Sequence, residues 1–185
     1  MENQEKNQGG SSVAWYKLAD LITRREREKA LSVYRLLSHS LEDRAYALQL
    51  EGDILHSLDD NGACEKYKQA AYLYKKEKRW IDAIAVCNHL LTMNPENTEL
   101  LATRLSLYIL TDWKDRFFDD LKKIFEKNVH KELTGDQVLG VIKGVISIVQ
   151  DEQLDHGLNW LHEGIKKHQH CVPALLQEQL QEVLG

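Results

Sequence analysis

Four side chains near the end of the chain, His162, His168, His170 and Cys171, are of the types that ligate a transition metal. Their spacing argues against that use. The run from His168 to Cys171 straddles a helix end, where neighbouring side chains diverge, and no second cluster supplies the missing ligands. Imidazoles beside the negative end of a helix dipole account for the same residues. A second set, Lys68, Lys75, Lys76, Lys78 and Arg79 interleaved with Tyr67, Tyr72 and Tyr74, has the charges and rings of a single-strand nucleic-acid platform. Tyr67 and Tyr74, however, lie two turns apart on one helical face, as packing residues do, and the lysines read as the solvated side. No nucleic-acid partner is expected. Catalysis has no carrier either. There is no Gly-rich phosphate loop or nucleophile elbow, and His56, His89, His130 and His156 are scattered. The expectation is a non-enzymatic protein without metal or cofactor.

The totals agree with that reading. Two prolines and ten glycines in 185 residues, with Leu, Ala, Glu and Lys abundant, favour helix over strand. Net charge is −5 with both signs mixed along the chain, which gives no broad phosphate-binding face. Three cysteines, Cys64, Cys87 and Cys171, are an odd number; the first two sit in helical patterns as small apolar residues. A reduced, cytoplasmic protein follows. No apolar run reaches the ~18 residues of a membrane span, so no membrane partner is expected. The opening segment, 1–11, is polar, lacks the apolar centre of a secretion signal, and reads as disordered.

The elements that would position any site recur at a fixed period. Trp15, Leu18, Ala19 and Ile22 line a first helix ending near Arg24, and Ala30, Tyr34 and Leu37 line a second ending near Ser40. A shift of 33 residues turns Trp15 into Leu48, Ala19 into Gly52 and Ile22 into Leu55, then Ala30 into Ala63, Tyr34 into Tyr67 and Leu37 into Ala70. One position fails, Leu18 becoming Glu51. A 34-residue shift carries Tyr67, Ala71 and Tyr74 to Leu101, Leu105 and Tyr108, and Ala83, Cys87 and Leu90 to Phe117, Leu121 and Ile124. Asn97 and Asp112 read as helix caps, and Thr134 with Gln137 as a capping box. In the helix after it, Gly140 and Gly144 offer a thin face, and Gly157 and Gly164 do the same in the next. A last helix begins at Pro173. The organisation is a polar segment over 1–11, helical repeats over 12–127, and divergent helical repeats with a capping helix over 128–185, continuous with the rest.

The order within Cys64–Asn97 (aromatic, small-small, aromatic, then Ala, bulky, apolar, then Pro95) resembles the tetratricopeptide repeat, TPR. The resemblance implies an all-α, right-handed superhelix of about ten antiparallel helices. It also implies an interaction scaffold that binds a peptide or protein segment on a concave surface. Two phases are open. The 33-residue recurrence makes the Tyr67 helix the second of a pair; the 34-residue match makes it the first. In the first phase the groove is lined by Tyr16 and Asp20, then Tyr46, Gln49, Asp53 and His56, then Asp82, Val86 and His89. Three carboxylates among them suit a segment carrying Lys or Arg. The cationic clamp by which some TPR proteins hold chaperone tails is missing in either phase, since the matching positions are Tyr16, Asp20, Gln49 and Asp53, or Lys68, Tyr72, Ala102 and Ser106. Small acidic TPR-like chaperones of bacterial secretion are similar in size and charge, which makes a client-specific cytosolic chaperone the alternative. Self-association through apolar surface on the Val/Ile-rich helix at 138–149 and on the last helix is the third expectation.

Overall fold

Among the described residues, no helical turn closes on a left-handed glycine. In the computed structural model, six of those residues, none of them glycine, occupy the left-handed region, at φ of 56 to 62°: Arg25, Asp59, Lys78, Asp112, Lys131 and Gln153. Each follows a helix. At Arg25 the bonds are those of a Schellman cap: its own N–H donates to the Ile22 carbonyl and the Glu26 N–H to the Leu21 carbonyl, both at 2.9 Å. The same pair of bonds recurs around Asp59, Asp112, Lys131 and Gln153. Asp112 therefore ends one helix instead of capping the next, which corrects the sequence expectation; the N-cap is Trp113, without a side-chain bond. Thirty-four residues separate Arg25 from Asp59 and Lys78 from Asp112, so the repeat is present in the turns as well as in the core.

Side chains are described for residues 12–168, 170–174 and 176–183, and the disorder expected over 1–11 lies outside them. The elements are α1 (Glu2–Thr23), α2 (Arg27–Ser38), α3 (Arg44–Ser57), α4 (Gly62–Lys76), α5 (Trp80–Met93), α6 (Thr98–Leu110), α7 (Lys114–Val129), α8 (Gly135–Asp151), α9 (Asp155–His168) and α10 (Ala174–Leu184), with one turn of 3-10 helix, Gln169–Cys171, before the last. The fold is all-α, with helices that neighbour in sequence packed on one another, and there is no strand among the described residues. No described helix is long and apolar enough to cross a membrane. The chain divides into two compact units, Met1–Lys78 and Arg79–Gly185.

In the first unit α1 pairs with α2 and α3 with α4, so the Tyr67 helix is the second of its pair. Equivalent positions of the two repeats are buried alike: Ala30 and Ala63, Tyr34 and Tyr67, Leu37 and Ala70. Where the recurrence fails, Leu18 is buried, while Glu51 is half-buried and paired with Lys66 at 3.0 Å. The buried side of α1 is turned slightly from the expected stripe: Leu18 and Leu21 are inside and Ala19 is exposed. Corresponding turns hold each other. Arg25 is ion-paired with Asp59, its own counterpart in the next repeat, and Arg27 with Asp60.

The second unit is built around α6, which packs on α5, α7 and α8 and buries Leu101, Leu105, Leu107, Tyr108 and Ile109. Helices two apart also meet, α6 with α8 and α7 with α9, as in stacked hairpins. Asn97 caps α6, accepting the Leu100 N–H at 2.9 Å. Thr134 and Gln137 form the reciprocal capping box of α8. The 34-residue counterparts Leu101, Leu105, Tyr108, Phe117, Leu121 and Ile124 are all buried. Of the two glycines expected to make a thin face, one does so. A Cβ on Gly144 would fall 2.8 Å from the Ala102 Cβ, whereas one on Gly140 would meet nothing. Gly157 and Gly164 are close-packed as expected, the latter against Leu121. The final helix starts at Ala174, one residue after Pro173.

Candidate functional site

The α3–α4 pair carries a concave surface in the first unit. Asp43 starts α3 by accepting the Tyr46 N–H at 2.9 Å, and Asp60 starts α4 by accepting the Gly62 N–H at 2.7 Å. That second bond, and then the Arg27 guanidinium, hold the Asp60 carboxyl below the usual carboxylate range. The two helices approach closely because Gly52 has no side chain; a Cβ there would lie 2.8 Å from the Tyr67 ring. Two buried tyrosines then reach back from α4 to α3. Tyr67 donates its hydroxyl to Asp53 Oδ1 at 2.7 Å, and Tyr74 donates to Gln49 Oε1 at 2.9 Å. Burial, and then the Asp53 carboxylate, push the Tyr67 hydroxyl pKa well above its ordinary value. Tyr34 behaves similarly. It donates to the Ala47 carbonyl, and burial with the nearby Glu51 and Tyr46 raises it to about 12.

A groove of about 460 Å³ runs along the other side of these helices. From α3 it takes Arg44 and Leu48; from α4 it takes Glu65, Lys68, Gln69, Tyr72 and Leu73. Leu48 and Leu73 are half-buried, and Tyr72 is 66% exposed. Gln69 donates to Glu65 Oε1 at 2.9 Å, which orients that carboxylate without neutralising it. Neither Arg44 nor Lys68 makes an ion pair among the described residues.

The residues expected to line a groove on the first helices divide three ways. Tyr16 on α1 and Tyr46 on α3 are exposed, at 76% and 46%, and are free to meet a partner sterically. His56 is exposed near the end of α3. Asp20 is ion-paired with Arg24 at 3.1 Å, and Gln49 and Asp53 accept the two tyrosine hydroxyls. On α5, in the second unit, Asp82 is bonded to Arg79 at 2.9 Å and His89 is exposed. Val86 is 0% exposed, so it belongs to the core and not to a binding surface, a correction to its expected place. All three carboxylates thus already have partners within the fold. The α3–α4 groove was only partly legible: Lys68 and Tyr72 stood out as a basic-aromatic stripe, while Arg44, Glu65, Gln69 and Leu73 carried no signal. A signal did exist. Tyr72 lies off the buried Tyr67–Tyr74 stripe, one turn after an unpaired lysine.

At the other end of the chain, the rings of His168 and His170 lie 6.3 Å apart and tilted, with Cys171 a half-buried free thiol. His168 is buried with Nε2 unpartnered, and burial, then Lys167, lowers its pKa. No three His, Cys, Asp or Glu side chains converge on a metal position among the described residues. Comparison with protein-family models, curated proteins and solved structures gives no match.

Proposed function

We propose that this chain is a non-enzymatic interaction module of the tetratricopeptide-like kind, a scaffold of helical hairpins that binds a protein segment. The observation that carries the reading is the division of labour on α3 and α4. One side is closed by Tyr67 and Tyr74 and their bonds to Asp53 and Gln49, and the other is left as a groove with an apolar floor and an exposed tyrosine. Repeat proteins bind on such persistent surfaces, which a rigid pair of helices holds open.

The face of the first helices supports a basic partner less well. A lysine or arginine arriving at Asp20 or Asp82 has to displace Arg24 or Arg79, and at Asp53 it competes with a buried hydroxyl. Exposed Tyr16 and Tyr46 keep that face as the competing location. Affinity purification from the native cell distinguishes the two, using wild type, Tyr72→Ala and a Tyr16→Ala/Tyr46→Ala double variant of matched helicity by circular dichroism. The expected result is a partner lost with Tyr72→Ala and kept by the double variant. Loss with the double variant alone moves the site to the first helices. Absence of any partner from all three samples sinks the scaffold reading.

A further inference from the structure

We propose that the α3–α4 groove selects an acidic segment that carries one bulky apolar residue, a partner opposite in charge to the one the carboxylates of the first helices imply. The inference rests on the scaffold reading and adds the chemistry of what is bound. Leu48 and Leu73 make a half-buried apolar floor, and Tyr72 stands beside them with most of its ring in solvent. An aliphatic or aromatic side chain seated there buries surface that the fold leaves wet. Around that floor positive charge is in excess. Arg44 and Lys68 are both exposed and make no ion pair, and Lys75 and Lys76 continue the exposed face of α4 in the turn after Tyr72. The one acidic lining residue, Glu65, accepts the neutral Gln69 amide at one oxygen and keeps its charge, so the cations outnumber it. A carboxylate-bearing segment therefore meets two unpaired cations against the single Glu65 carboxylate, with Lys75 and Lys76 beyond them, so the local balance of charge favours it.

A nucleic-acid strand fits the same charges less well. Stacking needs successive exposed rings, and of the three tyrosines on α4 only Tyr72 is exposed; Tyr67 and Tyr74 are buried with their hydroxyls bonded to α3. A backbone of phosphates would also run over Glu65, while the leucine floor would gain nothing from it.

The test is panning of a random-peptide phage library on the immobilised full-length protein, in parallel with an Arg44→Glu/Lys68→Glu variant whose helicity matches wild type. Enriched sequences are expected to hold an excess of Asp and Glu around one Leu, Ile or Phe. A synthetic peptide of the enriched sequence is expected to bind about tenfold more weakly to the charge-reversed variant and to weaken as salt rises. A Tyr72→Ala variant, with the cations intact, is expected to lose binding as well. Enrichment of neutral or basic sequences, or acidic binding untouched by the charge reversal, overturns the inference while leaving the scaffold reading intact. No enrichment on wild type removes the groove as a peptide site. Binding of fluorescein-labelled oligothymidylate that is abolished by the charge reversal reassigns the face to nucleic acid.

Discussion

The two units solve the same packing problem with different chemistry. In the first, helix pairs are fastened by polar side chains: Tyr34 to the Ala47 carbonyl, Tyr67 to Asp53, Tyr74 to Gln49, Glu51 to Lys66, and Arg25 and Arg27 to the two aspartates of the next turn. In the second, the contacts at equivalent depth are apolar. Phe117, Leu121, Phe125, Ile142 and Val145 are almost wholly buried, and glycines let α8 approach α6 and α9 approach α7. Its principal buried polar feature is Arg104 facing Asp120 at 2.8 Å, beside Tyr108. Hydrogen bonds of this kind fix geometry more than they add net stability, whereas apolar close packing does both. The first unit therefore presents a well-defined surface at modest energetic depth, and the second supplies depth.

That contrast can be broken by substitution, with stability read from urea unfolding and from amide exchange of each unit's helices. Phe117→Ala in the second unit carries the largest expected loss, about 3–5 kcal/mol, because the whole ring is buried and its removal leaves a cavity. Gly144→Ala comes next, at about 1–3 kcal/mol, since the facing Ala102 Cβ cannot move without its backbone. Gly140→Ala on the same helix is expected to act in the opposite direction and stabilise by about 0.5–1 kcal/mol, having nothing to strike. Equal effects at the two glycines would mean that α8 does not approach α6 as described.

In the first unit, Tyr67→Phe is expected to cost about 1–2 kcal/mol, the low end for a hydrogen bond to a charged group because Asp53 is half-solvated. The tyrosines also set an alkaline limit. Their hydroxyls ionise near 10 when the chain is unfolded and higher when folded, so the folded state holds its protons longer. Their contribution to stability is then constant below pH 10 and falls as pH rises past it, toward about 12 for Tyr34. Tyr67→Phe should make that fall shallower; an unchanged slope would remove Tyr67 from the account. Arg27→Ala is expected to have the smallest effect, because its side chain is half exposed and water screens the pair.

What the sequence made legible follows the same division. Recurring residue types mark buried positions in both units: Ala30 with Ala63, Tyr34 with Tyr67, Tyr74 with Tyr108, Cys87 with Leu121. Period and residue class are enough for that, since a core position must be apolar or aromatic in every repeat. Surface assignment was harder. Val86 fell on the expected binding face but is buried, because α5 is packed on more than one side of a narrow stripe. Gln49 and Asp53 read as solvent-facing polar residues, and it takes the neighbouring helix to see that tyrosine hydroxyls claim them. Asp112 read as an N-cap because aspartate usually serves there, yet its backbone adopts the left-handed conformation that ends α6. Turns without glycine leave no punctuation in the sequence.

Those turns also bear on how quickly the protein reaches its fold. Residues such as Arg25, Asp112 and Lys131 visit the left-handed region seldom in an unfolded chain, at a cost of about 1–2 kcal/mol each. The bend is therefore sparsely populated before the two helices of a pair pack on each other. The partners that collide are near in sequence, which keeps the search short. Each turn thus adds a small conformational cost to the closing of its pair, one that the contacts between the two helices must offset.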